Sequence, residues 1–198
     1  MNLDALKFHG VTFKGTSGSQ QFADCPMCLK PGKLYANPET GGWDCKACQK
    51  SGYPSHFLKQ MGEVCARRLV GEPLNKLSAD RGIPTDTLQK WQIGWDVLRG
   101  RYTIPVYDQK NMVTDLRVWK PGGLVMSTKG ANTGLFGIDK LKAGKGTVYL
   151  CEGEWDAMAL DALAQKLNKD VCVVGVPGAG TFKREWVSAF TQKHVVAL

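Results

Sequence analysis

The 198-residue sequence has no apolar run approaching the roughly 20 residues that a bilayer-spanning helix needs. Its opening Met1-Asn2-Leu3-Asp4 also lacks the charged start and apolar stretch of a secretory leader. Together these absences set the expectation of a cytoplasmic protein with no membrane partner. There is no internal repeat and no low-complexity tract, and 43% hydrophobic with 22% charged residues is the composition of a globular chain. An even disulfide set is lacking as well. Of seven cysteines, Cys65, Cys151 and Cys172 stand isolated and read as small buried apolar residues. Acidic residues are under-represented: 18 Asp and Glu against 26 Lys and Arg leave a net charge of +8. The densest basic stretch is 101–145, with eight Lys/Arg against three acids. Such a balance permits binding to nucleic acid, where neutralising phosphates releases counterions.

The other four cysteines form two Cys-x-x-Cys pairs, Cys25/Cys28 and Cys45/Cys48, with 16 residues between the pairs. That spacing lets two tight knuckles meet around one tetrahedral zinc with four thiolates and no open position, a structural rather than catalytic arrangement. Between the pairs, Lys33–Asn37 and Gly42–Cys45 read as short strands joined by a turn at Pro38-Glu39-Thr40-Gly41, which makes a zinc ribbon. Tyr35, Trp43, Tyr53 and Phe57 lie among Lys30, Lys33, Lys46 and Lys50. Aromatics interleaved with cations suit unstacked bases and backbone phosphates, so Tyr35 and Trp43 are candidate nucleic-acid contacts. The competing reading makes them the ribbon's own small core.

Around the ribbon, residues 1–20 read as an irregular lead-in. Pro54–Val70 carries apolar residues at helical spacing and stops at Gly71. Two short helical pieces follow, the first ending at Arg81-Gly82 and the second opening at Pro84-Thr85-Asp86. Residues 70–75 and the 93–96 turn are the expected linkers. Strands are expected at Tyr102–Tyr107, Val113–Trp119, Gly146–Cys151, Val171–Val176 and His194–Leu198, with helices at Glu154–Asn168 and Lys183–Gln192. From 146 onward, strand–helix–strand–helix–strand with short links implies a parallel sheet. The expected divisions are 1–53, 54–96, 97–145 and 146–198.

Ligands gather beyond the carboxyl ends of parallel strands. There the sequence places Glu152-Gly153 and, in the first turn of the next helix, Asp156. Glu152 is aimed where a hard cation or a general base is needed. Asp156 either seconds it or favours the helix N-terminus electrostatically.

Leu150-Cys151-Glu152-Gly153-Glu154-Trp155-Asp156 resembles the first motif of a TOPRIM domain, the metal-binding fold of DnaG-type primases, topoisomerases and some nucleases. Val173-Val174-Gly175-Val176-Pro177-Gly178-Ala179-Gly180 is similar to the glycine-rich turn after that fold's second strand. The cysteine ribbon, the Asp80-Arg81-Gly82-Ile83 helix break and Gly134-Leu135-Phe136-Gly137 narrow the resemblance to DnaG-type primases and the primase half of bacteriophage helicase-primases, over roughly residues 22–198. The fold class implied is α+β: an N-terminal zinc ribbon, then a primase catalytic core with a partial α/β TOPRIM domain. The activity implied is synthesis of short RNA primers from ribonucleoside triphosphates on a single-stranded DNA template, with a replicative helicase as a fused or separate partner. One structural Zn²⁺ and a catalytic Mg²⁺ are the cofactors implied. Glu152 and Asp156 are the implied catalytic pair, Glu152 holding magnesium, and Arg117, Lys120 and Lys129 the implied nucleotide- or template-binding cations. The sequence departs from the TOPRIM pattern in one place. No Asp-x-Asp follows the last strand, and the expectation is a truncated catalytic half with little activity alone. Other readings are a non-catalytic single-strand-binding module and a fragment of a TOPRIM nuclease or topoisomerase.

Overall fold

The computed structural model describes residues 3–142, 144, 146–178 and 180–198. Met1 and Asn2 of the expected leader-free start, and Ala179 of the glycine-rich turn, lie outside the described residues. Among those described, the strands form a five-stranded antiparallel sheet and two three-stranded sheets, one antiparallel and one parallel.

The lead-in is ordered, contrary to expectation. A short helix α1 (Asp4–Phe8) precedes strands β1 (Phe13–Ser17) and β2 (Gln20–Ala23), which pair antiparallel with an irregularity between Phe13 and Gly15. Their mixed, mostly polar residues carry no period-2 signal, because the hairpin is only partly buried. It pairs with the ribbon strands β3 (Leu34–Ala36), β4 (Trp43–Cys45) and β5 (Ser51–Gly52) in the order β1-β2-β3-β4-β5. The two strands expected between the cysteine pairs are β3 and β4.

Helix α2 (Pro54–Arg68) starts immediately after β5, with proline in its first turn where a missing N–H costs nothing. Phe57, Leu58, Met61, Val64 and Cys65 form its buried stripe. The expected linker after it is mostly helix: α3 (Glu72–Arg81) ends on a left-handed Gly82, and α4 (Thr85–Lys90) follows Pro84. The second expected linker is a strand, β6 (Gly94–Asp96), paired with β7 (Arg101–Tyr107), which pairs with β8 (Val113–Trp119). A Cβ on Gly94 would lie 2.6 Å from the Cys65 carbonyl carbon, so the closest approach of α2 to this sheet requires glycine.

The parallel sheet runs in the order β10-β9-β11, with β9 (Gly146–Cys151) at its centre, flanked by β10 (Cys172–Gly175) and β11 (Lys193–Ala197). Helix α5 (Glu154–Lys166) joins β9 to β10. The helix expected at Lys183–Gln192 is a 3-10 segment, Arg184–Phe190, of which only Trp186 is buried, too thin a stripe to hold a full α-helix against the sheet. Side chains of β9 and β10 alternate between two cores. Tyr149, Cys151 and Val173 pack with Ala157 and Met158 of α5, while Val148, Leu150, Cys172 and Val174 pack with Leu135 and Trp186. Phe136 adds a backbone rung to β10: its N–H and C=O exchange 2.9 Å hydrogen bonds with Gly175, and its ring stacks on Trp91 at 4.4 Å. That double anchoring is the structural content of Gly134-Leu135-Phe136-Gly137.

Candidate functional site

The two cysteine knuckles repeat one backbone device. In the first, Cys25 N–H donates to Lys30 O (3.1 Å) and Leu29 N–H to Cys25 O (2.8 Å); in the second, Cys45 N–H donates to Lys50 O (2.8 Å) and Gln49 N–H to Cys45 O (2.9 Å). Each knuckle closes through a left-handed residue just past its second cysteine, Leu29 at φ 62° and Gln49 at φ 60°. The four Sγ atoms all lie within 4.8 Å of one another, with Cys25–Cys48 at 4.0 Å and Cys28–Cys45 at 3.7 Å. Zinc–sulfur bonds of about 2.3 Å in a tetrahedron put the sulfurs about 3.8 Å apart. Four thiols at these separations therefore fit one structural zinc. Burial pushes the Cys25 thiol above its ordinary value, a cost that a bound zinc would offset by stabilising the thiolate.

The expected aromatic contacts divide. Trp43 is buried, donates its indole N–H to Tyr53 O at 3.1 Å and meets Phe57 edge-on at 5.4 Å, so it belongs to the ribbon's core and not to its surface. Phe57 is likewise core. Tyr35 is half-buried, with the Lys46 ammonium 5.8 Å from its ring centroid.

The second site lies at the carboxyl end of β9. Glu152 is exposed there, Gly153 is extended, and α5 begins with Glu154 and has Asp156 in its first turn. The turn is tightly backed: a Cβ on Gly175 would sit 2.7 Å from Gly153 O, so β10 needs glycine at that point. Glu152 and Asp156 line a cleft of about 420 Å³ together with Arg81, Trp119, Leu124, Trp155 and Gly178. The Arg81 guanidinium packs over two neighbouring indoles, 4.2 Å from the Trp119 ring and 4.6 Å from the Trp155 ring, which are themselves edge-on at 5.0 Å. Burial pulls Arg81 below its ordinary value, and Asp156 opposes the shift. A guanidinium packed on aromatic rings keeps N–H donors for an anion. Among the described residues, the only group of three or more metal-ligating side chains drawn together is the four cysteines. The acidic edge thus offers a cation two carboxylates, leaving water and ligand oxygens to complete an octahedron.

The three expected cations occupy three different environments. Arg117 is not presented to a ligand at all. It is 1% exposed, its guanidinium pairs with Glu154, donates to Gly134 O at 2.6 Å and lies 3.5 Å from Asp115. The register explains why: Arg117 and Asp115 pair with Ile104 and Val106 and share their inward face. Lys120 is exposed on the rim of a neighbouring cavity of about 540 Å³, with Arg99 and Arg101, which shares Trp119, Gly123 and Leu124 with the acidic cleft. Lys129 is exposed but lines a separate pocket with Asp4, Ser55 and Leu58. Sequence reasoning passed over Arg81, Trp119 and Trp155 as a unit. Arg81 stands in the sequence as the last residue before a helix break, but nothing there brings Trp119 and Trp155 beneath it.

No protein-family profile and no curated protein matches the chain. Solved structures do. The chain is similar to the DnaG primase catalytic domain bound to single-stranded DNA (TM-score 0.57, 13% identity, covering 72% of this chain and 59% of that one). It is similar to the Escherichia coli primase catalytic core (TM-score 0.56, 13% identity, 72% and 61%). It is also similar to the primase fragment of the bacteriophage T7 primase-helicase (TM-score 0.51, 18% identity, 89% and 78%). The chain therefore has a primase-like α+β fold, and it spans about 60% of the length of the DnaG-type cores.

Proposed function

We propose that this chain is the ribbon-bearing part of a DNA primase, which joins ribonucleoside triphosphates into short primers on a single-stranded DNA template. The observation that carries the reading is the cleft at the end of β9. Two carboxylates and an arginine packed on two indoles meet at the sheet edge where parallel sheets bind ligands, within a primase-like fold.

Primer synthesis is attack of a 3′-hydroxyl on an α-phosphate. Glu152 and Asp156 would hold a magnesium ion, which supplies neutralisation of the charge developing on the attacking and leaving oxygens. Arg81, packed on Trp119 and Trp155, offers N–H donors to a nucleotide phosphate. Arg117 acts through others. By pairing with Glu154 and Gly134 O it ties β8 to the start of α5 and fixes the turn from which Glu152 projects. Lys120, with the partly exposed Arg99 beside it, gives template phosphates a basic surface contiguous with the cleft. Tyr35 and Lys46 on the ribbon offer a stacking face and a cation to an unpaired base. A replicative helicase, fused or separate, would deliver the template. Residues 146–198 form the partial TOPRIM unit in this reading.

The test is primer synthesis from labelled ribonucleotides on single-stranded DNA by the native polypeptide that carries this sequence, with Glu152→Gln beside it. Loss of magnesium-dependent extension by roughly a hundredfold or more, with template binding retained, is the expected result. Undiminished extension by Glu152→Gln would remove the cleft from the chemistry. Template binding with no synthesis by either protein would leave a binding module.

A further inference from the structure

The zinc ribbon and strand β8 share one continuous interior. The largest buried cluster runs from the ribbon (Leu34, Ala36, Trp43, Cys45) through α2 (Phe57, Met61, Cys65) to Val113 and Leu116 of β8. No spacer separates them, since β5 ends at Gly52 and α2 opens at Pro54. The junction itself is braced. Trp43 donates to Tyr53 O at 3.1 Å, Gln60 reaches back to Ser51 O at 3.0 Å, and a Cβ on Gly52 would lie 2.6 Å from the His56 Cβ.

A second tie is a cation at the other end of α2. Arg68 donates to Pro26 O at 3.1 Å and Met27 O at 2.5 Å, the two carbonyls inside the first Cys-x-x-Cys knuckle. A third comes from the N-terminal segment. Arg101 donates to Phe8 O (3.0 Å), Arg99 to His9 O (3.1 Å), and the His9 ring bonds the Thr128 hydroxyl (2.9 Å), which donates on to Leu116 O. Leu116 sits beside Arg117, whose guanidinium holds Glu154 at the head of α5.

We infer that the ribbon is not a swinging module but a fixed part of the core. Zinc occupancy orders the β7–β8 sheet as well as the knuckles, and Arg68 is the latch that transmits it. Any single strand held by the ribbon then stays at a constant distance from the cleft of the same chain. The inference does not rest on primer synthesis; a chain that binds no template at all would still show it.

The experiment is amide hydrogen exchange on the zinc-loaded chain, wild type and Arg68→Ala, with calorimetric melting of both. Wild type should melt in one transition. In Arg68→Ala, one zinc per chain should remain, and amides of residues 24–30 should exchange faster by roughly tenfold or more, the scale of losing hydrogen bonds from a charged donor. Stripping zinc with a chelator should then raise exchange in 101–107 and 113–119 together with 20–53. Two separate melting transitions in wild type would overturn the inference. So would unchanged exchange at 24–30 in Arg68→Ala, or a chelated chain whose 101–119 amides keep their protection while the ribbon opens.

Discussion

Replacing Arg117 by methionine removes the charge that three buried elements share. The side chain is 1% exposed, and the two carboxylates that face it, Glu154 and Asp115, are 5% and 0% exposed. Methionine fills a similar volume and restores none of the charge. Glu154 is left buried at the head of α5 without a counter-ion, Asp115 keeps only its bond from Thr128 N–H (2.9 Å), and Gly134 O loses its donor. Breaking a buried ion pair from one side costs about 3–5 kcal/mol. For a chain of this size each kcal/mol moves the melting temperature by about 2–4 °C, so a fall of about 6–20 °C is expected. The cost belongs to the orphaned carboxylates rather than to the lost cation, which makes the double variant decisive. Arg117→Met with Glu154→Leu should regain most of the deficit, because an apolar pair of matching volume replaces a buried ion pair at little cost. Thermal melting and urea unfolding of wild type, both singles and the double would read the coupling. A fall below about 2 °C in Arg117→Met, or a double variant no more stable than the single, would refute the view that Arg117 is an interior tie.

Metal analysis should return one zinc per chain, and Cys45→Ser should lower that stoichiometry and the melting temperature together; a metal-free wild type would reject the four-thiolate site. Gly175→Ala should cost about 1–3 kcal/mol and shift the Glu152–Gly153 turn, because its methyl would lie 2.7 Å from Gly153 O; an unchanged urea midpoint would count against that close contact. Acid should weaken the fold through His9. Burial, with Arg101 and then Arg99 adding repulsion, lowers its pKa from 6.5 to about 3. The unfolded chain therefore takes up a proton below pH 6.5 that the folded chain refuses until about pH 3. Stability is complete above 6.5 and declines as pH falls through that window, by about 2 kcal/mol between pH 6.5 and 5. His9→Gln should flatten that decline in urea midpoints, and an equally steep decline in the variant would assign it elsewhere. Arg81→Lys should weaken binding of a nucleoside triphosphate to the cleft, since an ammonium cannot stack on Trp119 and Trp155 while offering a planar fork of N–H donors; unaltered affinity by titration calorimetry would dismiss that role.

Local pattern carried much of this architecture. The spacing of Cys25, Cys28, Cys45 and Cys48 specifies a metal knuckle because each pair needs only a few residues of backbone to set its geometry. The apolar stripe of α2, and the strand–helix–strand run from Gly146 that puts Glu152 at a sheet edge, are equally local. What those patterns could not reach is which side chains face inward where both faces of a sheet are covered. Arg117 looks like a surface cation in sequence, and Trp43 looks like a stacking platform. Pairing register turns Arg117 toward Glu154, and the packing of α2 closes over Trp43. The hairpin at Phe13–Ala23 was illegible for the complementary reason: its strands gain order from pairing with β3 rather than from an apolar face of their own. A four-thiolate ribbon and an acidic strand end are written in the order of residues alone, because contacts close along the chain build them. The packing of Arg81 on Trp119 and Trp155, and the interior that the ribbon shares with β8, arise in three dimensions alone, because those contacts depend on how α2 and α5 pack against the β6–β8 sheet.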